Sequence, residues 1–551
     1  MLKKNPTYFL SLIFLIFSFQ FSKAQNQGTS KTLKIIKSDK LRSVGNIQKL
    51  INNVVMQQDN TMIYCDSAYF YEKENKAKLF GNVRMNNPVD TVSSSSRYAD
   101  YDGNTQLAKL RENVVFKKAS TTLYTDFLDY DRRYGIADYY NFGKVVDSTN
   151  VLTSQKGRYE TQIEKITFRD NVILVNPEYT LKSNTLYYYT LNKTAETEGL
   201  TNIRSPEGDE LNAKKGSFYD TQNKLFRFYH GDVENETSRV AGDTLFYDDI
   251  KKYYEARENV SIFNKERNLE IFGDKGQYWE ARKYSEVFGN ALVQKYFKED
   301  TLYMAADTLI SQDSELAENR HMLAFPNTRM IKGNLSGRAD STTYVYSDST
   351  IYLFGDPLLW NNKSQISADS IHFVIANEDI DKVFLKENAF VITADTIANF
   401  NQIKGRQMTG HFTEGDISRL DVEGNGESLY FALENDTTVQ GINTLLCGKI
   451  IMHFEKGNVS KINHTINPDA SFIPPHLITE DDTKLKGFSW RIDEKPDMEM
   501  IYEWRKPIEK EENPSNLFNE PNIRIPYPNE DEIQEIINEW LNSQNKNLKK
   551  P

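Results

Sequence analysis

Seven histidines, two cysteines and 78 carboxylates are the side chains here that could do acid–base, nucleophilic or metal chemistry. His230, His321, His372, His411, His453, His464 and His476 are scattered, with no pair at ligand spacing on a helix. No GxSxG elbow occurs, and no glycine-rich loop with a lysine follows a strand to cradle phosphate. Carboxylate pairs are too common in so acidic a chain to mark a site. A glycosidase, whose two carboxylates need no local motif, stays the third reading. Asp66, Asp126, Asp243, Asp307, Asp340, Asp369 and Asp395 recur beside Ser, Thr or a small or apolar residue. Calcium-binding rolls need denser Gly and Asp at a nine-residue period, so these aspartates are expected to bond local backbone at corners or strand entries. Gly81-Asn82, Glu112-Asn113, Glu258-Asn259 and Gly289-Asn290 tolerate positive φ and fit bulges, with sugar binding the sharper alternative. Cys65 and Cys447 lie near opposite ends of the repeating region and read as buried small hydrophobes, with no disulfide framework.

What must position these residues is a repeat. One signature reads LFGNVRM from Leu79, LRENVVF from Leu110, NFGKVV from Asn141, FRDNVILV from Phe168, YHGDVEN from Tyr229, ARENVSIF from Ala256, VFGNALV from Val287, LFGDPLLW from Leu353 and LKENAFVI from Leu385. DVEGNGESLY from Asp421 continues it, and LTNIRS and FPNTRM are weaker copies. A second signature alternates with the first, as in CDSAYFYE at Cys65, TDFLDYD at Thr125, GDTLFYDD at Gly242 and ADSIHFVI at Ala368. About twelve units of two strands result. Val114 and Phe116 share one face of ENVVFKK while Val115 takes the other, the alternation of a strand. No sustained helical spacing occurs between Lys31 and about Glu455. A two-strand unit cannot bury its apolar face alone, so neighbours at roughly 4.8 Å spacing must stack into sheets, about 60 Å for twelve units.

The ends differ from the middle. Lys3 and Lys4 precede an apolar run from Tyr8 to Phe21, with Ser22-Lys23-Ala24 as a cleavage site, so residues 1–24 read as a secretory signal peptide. The run is shorter than the roughly 20 residues that span a bilayer. Thirty-one Tyr and 31 Phe argue for a folded chain, and a net charge of −11 from interspersed signs argues against nucleic acid as partner. After the repeats of 25–455, residues 456–505 read as a cap or docking segment, 506–528 as a linker and 529–551 as an amphipathic helix and tail. In that helix Asn529 caps, and Ile533, Ile536, Ile537, Trp540 and Leu541 share a face.

Phe80-Gly81-Asn82-Val83, Glu112-Asn113-Val114, Asp170-Asn171-Val172, Glu258-Asn259-Val260 and Ala306-Asp307-Thr308, in alternating order, resemble the OstA-like family, the type of LptA and the LptD N-terminal domain. The likeness runs from about Lys31 to Glu455. It implies an all-β fold, an elongated β-jellyroll of stacked two-strand repeats followed by an extended C-terminal segment and a short α-helix. The missing catalytic motifs and the repetition themselves read as a non-enzymatic protein without cofactor or metal, and the resemblance further implies a periplasmic one that works toward the outer membrane. Such a protein shields acyl chains of lipopolysaccharide or a related lipid in an apolar groove. End-to-end β-augmentation would join it to other bridge proteins, and the C-terminal segment would meet an outer-membrane partner. The groove is expected to be lined by Val83, Met85, Val114, Phe116, Val172, Leu174, Val260, Ile262, Leu292 and Val293. The alternative is a secreted structural or carbohydrate-binding β-solenoid, with a packed core and aromatic residues ranked on an outer face.

Overall fold

The computed structural model describes residues 32–503 apart from 148–149, 299, 377–378, 414–415, 436 and 456–457. The chain divides into two compact units, one of residues 1–145 with 160–162 and one of 146–159 with 163–551. The signal peptide, the linker and the helix expected at 529–551 lie outside the described residues.

Alternating apolar residues, β-branched and aromatic, produce antiparallel strands of 11 or 12 residues through most of the chain. Examples are Thr61–Tyr71, Lys76–Asn87, Val92–Asp102, Leu107–Lys118 and Thr121–Asp131, each paired with the next. The chain is all-β, a β-jellyroll, as the repeat requires. Short turns of Asn, Asp, Gly and Lys link the strands, and between 32 and 455 the only helical pieces among the described residues are three single 3-10 turns.

Halfway along every second strand the backbone departs from the ladder. Gly81 and Asn82 have φ of 73° and 46°, and Glu112 and Asn113, Asp170 and Asn171, Glu258 and Asn259, Gly289 and Asn290, and Glu387 and Asn388 repeat the pattern. Each such pair stands opposite one residue of the next strand, as Glu112 and Asn113 do opposite Asp126. These are β-bulges, which bend the strand into two halves. Their polar partner differs from the sequence expectation. The Asn82 amide donates to Asp66 at 2.9 Å, Asn259 to Asp243 at 3.0 Å, Asn290 to Asp274 at 3.3 Å and Asn388 to Asp369 at 2.9 Å. Asp66, Asp243 and Asp369 thus hold the bulge of the following strand, Asp126 accepts from the Asn113 amide in the bulge of the preceding one at 3.0 Å, and Asp395 bonds the nearby Ile397 and Asn399 amides. Where proline enters the corner, as in Phe325-Pro326-Asn327 and Asp356-Pro357, the missing N–H breaks the strand in two. His321–Phe325 is thereby separated from Thr328–Lys332, and Thr350–Phe354 from Leu358–Asn361.

The ladder continues past Glu455 through Asn458–Thr465 and Asp469–Ile473. The chain then turns back as a strap over the outer face of the second unit. Gln402 bonds the Thr483 carbonyl and the Leu485 amide at 2.8 and 2.7 Å, and Gln365 bonds the Ser489 carbonyl and the Arg491 amide at 2.7 and 2.6 Å. Each side-chain amide thus satisfies both polar groups of a passing backbone. Phe488 and Trp490 pack on Phe400, with ring centroids 5.4 and 5.0 Å away. Arg491 grips Asp356 with two bonds of 2.8 Å, and Glu494 takes Arg338. The strap ends in the short helix Met498–Glu503, whose Ile501 is buried on Leu292, Ala305 and Ile331.

Two outcomes follow. At Gly81 a Cβ would run into the Asp66 carboxylate, and a β-branched residue strains at positive φ. Gly81→Val is expected to destabilise the first unit by about 1–3 kcal/mol, read as a lowered midpoint in thermal unfolding. In the strap, the Arg491 hydrogen bonds hold the Asp356 and Glu494 carboxyls below their usual range. Their contribution is therefore present above the unfolded values of about 4 and is lost as pH falls through the depressed ones. Acidification should red-shift the Trp490 emission, taken as the difference from Trp490→Phe, and Arg491→Ala should show that shift already at neutral pH.

Candidate functional site

The bulges fold each strand back so that its two halves face one another. In Lys76–Asn87 the inward residues are Ala77 and Leu79 before the bulge and Val83 and Met85 after it; in Leu107–Lys118 they are Ala108, Leu110, Val114 and Phe116. All are buried. Phe116, beyond its bulge, meets Tyr130 of the opposite half edge-to-face at 5.0 Å, so the halves close on a shared apolar interior. In the second unit one core joins Val287, Leu309, Leu353 and Phe373 of one half to Ala291, Val293, Met304 and Leu359 of the other.

Of the ten residues expected to line a groove, Val83, Met85, Val114, Phe116, Val172, Leu174, Val260 and Val293 are buried on inward positions, and Ile262 packs against the same core half-buried. They line a packed interior, closed to water, rather than an open channel. Leu292 does not join them. Successive strand residues point to opposite faces, and the residue after the bulge Asn is the inward one. In Gly289-Asn290-Ala291-Leu292-Val293 the inward positions are Ala291 and Val293, while Leu292 packs outward under Ile501 of the strap.

Because the strands bend at their middles, their ends come together opposite the bulges in two rows of turns. Backbone hydrogen bonds stitch one row along its length, for example from Gly103 to Asn75, Arg132 to Gln106 and Thr161 to Gly135. Between the rows no backbone–backbone hydrogen bond occurs among the described residues, and the seam is closed through side chains. In the first unit Gln58 donates to the Gly103 carbonyl at 2.8 Å and accepts from the Tyr101 hydroxyl. Arg132 donates to Tyr101 and to Thr61, and Gln106 to Asp59 at 3.3 Å. In the second unit Tyr188 and Lys193 donate to the buried Asp147 at 2.7 and 3.1 Å, Arg267 to Tyr346 at 3.0 Å and Lys332 to Asp379 at 3.2 Å. Burial pushes the Tyr101 and Tyr188 hydroxyls above the usual phenol range, and at Tyr188 the Asp147 carboxylate adds to it. Both therefore remain proton donors near neutrality. Sequence reasoning missed every one of these residues. Their partners lie 31 to 79 positions away, and no local pattern marks them.

Cys65 and Cys447 are free and buried, and burial pushes the Cys65 thiol up to about 12. Burial raises the Cys447 thiol as well, which disfavours the reactive thiolate at both positions. No helix among the described residues is long and apolar enough to cross a membrane. Within each unit the arrangement offers an apolar interior between the two halves of the bent strands, with one polar edge that carries no sheet pairing among the described residues.

Residues 30–184 match the family described as OstA-like protein. The matched span takes in the bulges at Gly81-Asn82, Glu112-Asn113 and Asp170-Asn171. No curated protein matches the chain.

Tyr188→Phe removes one of the donors to a buried carboxylate, at a cost of about 1–3 kcal/mol. Amide exchange in the turn at 190–193 should rise well above that in the turn at 249–252, and equal protection of the two in the variant would refute the seam contact.

Proposed function

We propose that this chain, an OstA-like protein over residues 30–184, shelters the acyl chains of lipopolysaccharide or a related lipid between the two halves of its bent strands. The OstA-like domain links the chain to lipopolysaccharide or lipid transport and to non-catalytic proteins. The observation that carries the finer reading is the seam. An apolar interior lies behind an edge closed, among the described residues, by side chains alone, so the halves can part at the bulges without breaking a strand pairing.

Magnitudes favour this. A buried CH₂ gains about 0.8 kcal/mol, so a chain of about twelve carbons gains roughly 10 kcal/mol. Each seam hydrogen bond contributes about 0.5–1.5 kcal/mol net, so opening a few costs less than the lipid returns. Val83, Met85, Val114, Phe116, Val172, Leu174, Val260, Ile262 and Val293 would meet the acyl chains. The protein would act in the periplasm and pass lipid toward the outer membrane. The end strands Lys34–Lys37 and Asp469–Ile473 each pair on one side only among the described residues and would take partner strands by β-augmentation.

A second reading draws on two observations. The interior is packed, and aromatic side chains are ranked on an outer face, as a carbohydrate-binding β protein would have them.

A photo-crosslinking residue in place of Phe116 or Val260, in cells that make lipopolysaccharide, should yield a lipopolysaccharide adduct. The same residue at the exposed Tyr124 should yield none. Folded, abundant protein without adduct at either interior position would sink the lipid reading.

A further inference from the structure

On the first unit, the outer face of one strand half carries cross-strand rows of unusual make-up. One row runs Ser67, Phe80, Tyr98, Arg111, Phe127, and the next runs Lys49, Tyr69, Lys78, Asp100, Lys109, Asp129. The rings touch from strand to strand, Tyr69 with Phe80 at 5.3 Å and Phe80 with Tyr98 at 6.2 Å, both edge-on. Lys49 lies 5.1 Å from the Tyr69 ring. Between the rings the surface sinks into an open depression of about 410 Å³ lined by Tyr69, Tyr71, Lys78, Phe80, Tyr98, Asp100 and Arg111, within the usual size of small-ligand sites.

We propose that this depression is a saccharide-binding platform for neutral sugar units. Apolar faces of sugar rings lie against Tyr69, Phe80 and Tyr98, and sugar hydroxyls bond to Asp100 and Lys78. Three features point to that class of ligand. The Asp100 carboxylate, the Lys78 ammonium and the Tyr69, Tyr71 and Tyr98 hydroxyls make no hydrogen bond or ion pair within the described protein, so their bonding capacity is unspent. The second row alternates in sign through Lys78, Asp100, Lys109 and Asp129. An anionic or cationic ligand would therefore meet a like charge, whereas a hydroxyl, both donor and acceptor, suits each neighbour. The charges also sit among the rings rather than around them, unlike a protein interface, which gathers its apolar residues into a core with a polar rim. A similar aromatic row in the second unit, Phe246, Tyr253, Trp279 and Tyr284, lacks this opportunity. Its carboxylate Glu255 already accepts from Tyr253, Gln277, Lys275 and Arg257.

The site is independent of the lipid interior, since it lies on the opposite surface of the sheet. The test is affinity electrophoresis of the full chain in gels holding dextran, mannan, xylan or laminarin, none of which carries an acyl chain. At least one polysaccharide should retard the protein. Tyr98→Ala and Asp100→Asn should each weaken that retardation about tenfold or more, at unchanged melting temperature, while Tyr124→Ala should leave it intact. No retardation by any of the four, or retardation that survives both Tyr98→Ala and Asp100→Asn, overturns the proposal. Either result leaves crosslinking at Phe116 to be judged separately.

Discussion

The hydrogen bond from the Asn82 amide to the Asp66 carboxylate, at 2.9 Å, secures the place where two consecutive residues take left-handed backbone in the middle of a strand. Left-handed conformation costs an ordinary residue about 1–2 kcal/mol, and the chain adopts it in pairs at Glu112-Asn113, Asp170-Asn171, Glu258-Asn259 and Glu387-Asn388 as well. Gly where the preceding strand's Asp crowds the backbone, and Asn where a side-chain amide can answer that Asp, keep the cost low. The bend is what makes an interior. Without it, strands of this alternation would form a flat sheet with one apolar face open to water. With it, Leu79 and Met85 of a single strand line opposite halves of one core.

The outer faces are treated differently along the chain. In the second unit the strap packs Ile478 and Leu485 on Leu429, Phe431 and Ile442, and Leu358 and Trp360 are buried on outward positions beside Gln365, which the strap backbone bonds. Gln365 and Gln402 are nearly inaccessible for the same reason. They are fixed by backbone from far along the sequence, and burying an amide is tolerable only when its bonds are made. In the first unit the outward positions are mostly charged, aromatic or small and polar, as with Lys78, Tyr98 and Ser95, with Val115 an apolar exception. The two solutions meet one requirement, that a sheet surface be either covered or wettable.

Much of this was legible in the sequence. The alternation of signatures specified antiparallel strands, and Gly-Asn and Glu-Asn specified the bulges. A single rule, that the residue after the Asn faces inward, holds for Val83, Val114, Val172 and Val260. At Asn290 the next residue is Ala291, so hydrophobicity drew attention to Leu292, one position too far. That misplacement has a physical cause: Leu292 is apolar because the Ile501 strap covers it, and a contact across some two hundred residues leaves no local trace. The seam was illegible for a related reason. Tyr188 and Asp147 lie in different repeats, and Gln58, Arg132 or Tyr346 read individually as ordinary surface polar residues. Short-range patterns encode the strand and its bend; the closure of the bent strands onto one another is encoded only in pairs.

A packed interior and a lipid cargo are compatible through the way the packing is made. Val114 and Phe116 belong to one half and Tyr130 to the other, so many core contacts run between halves rather than within one. An acyl chain inserted between them does not return those side chains to water; it replaces one apolar neighbour with another, and the dispersion contacts are largely exchanged. On the proposed reading the cost of opening would concentrate at the seam, where Gln58, Tyr101 and Arg132, or Asp147, Tyr188 and Lys193, would have to find water instead of each other. Water receives such groups readily at an exposed edge. A sheet pairing along that edge would have made opening a matter of breaking a ladder of backbone bonds, and in its place stand a few side chains spaced along the rows of turns.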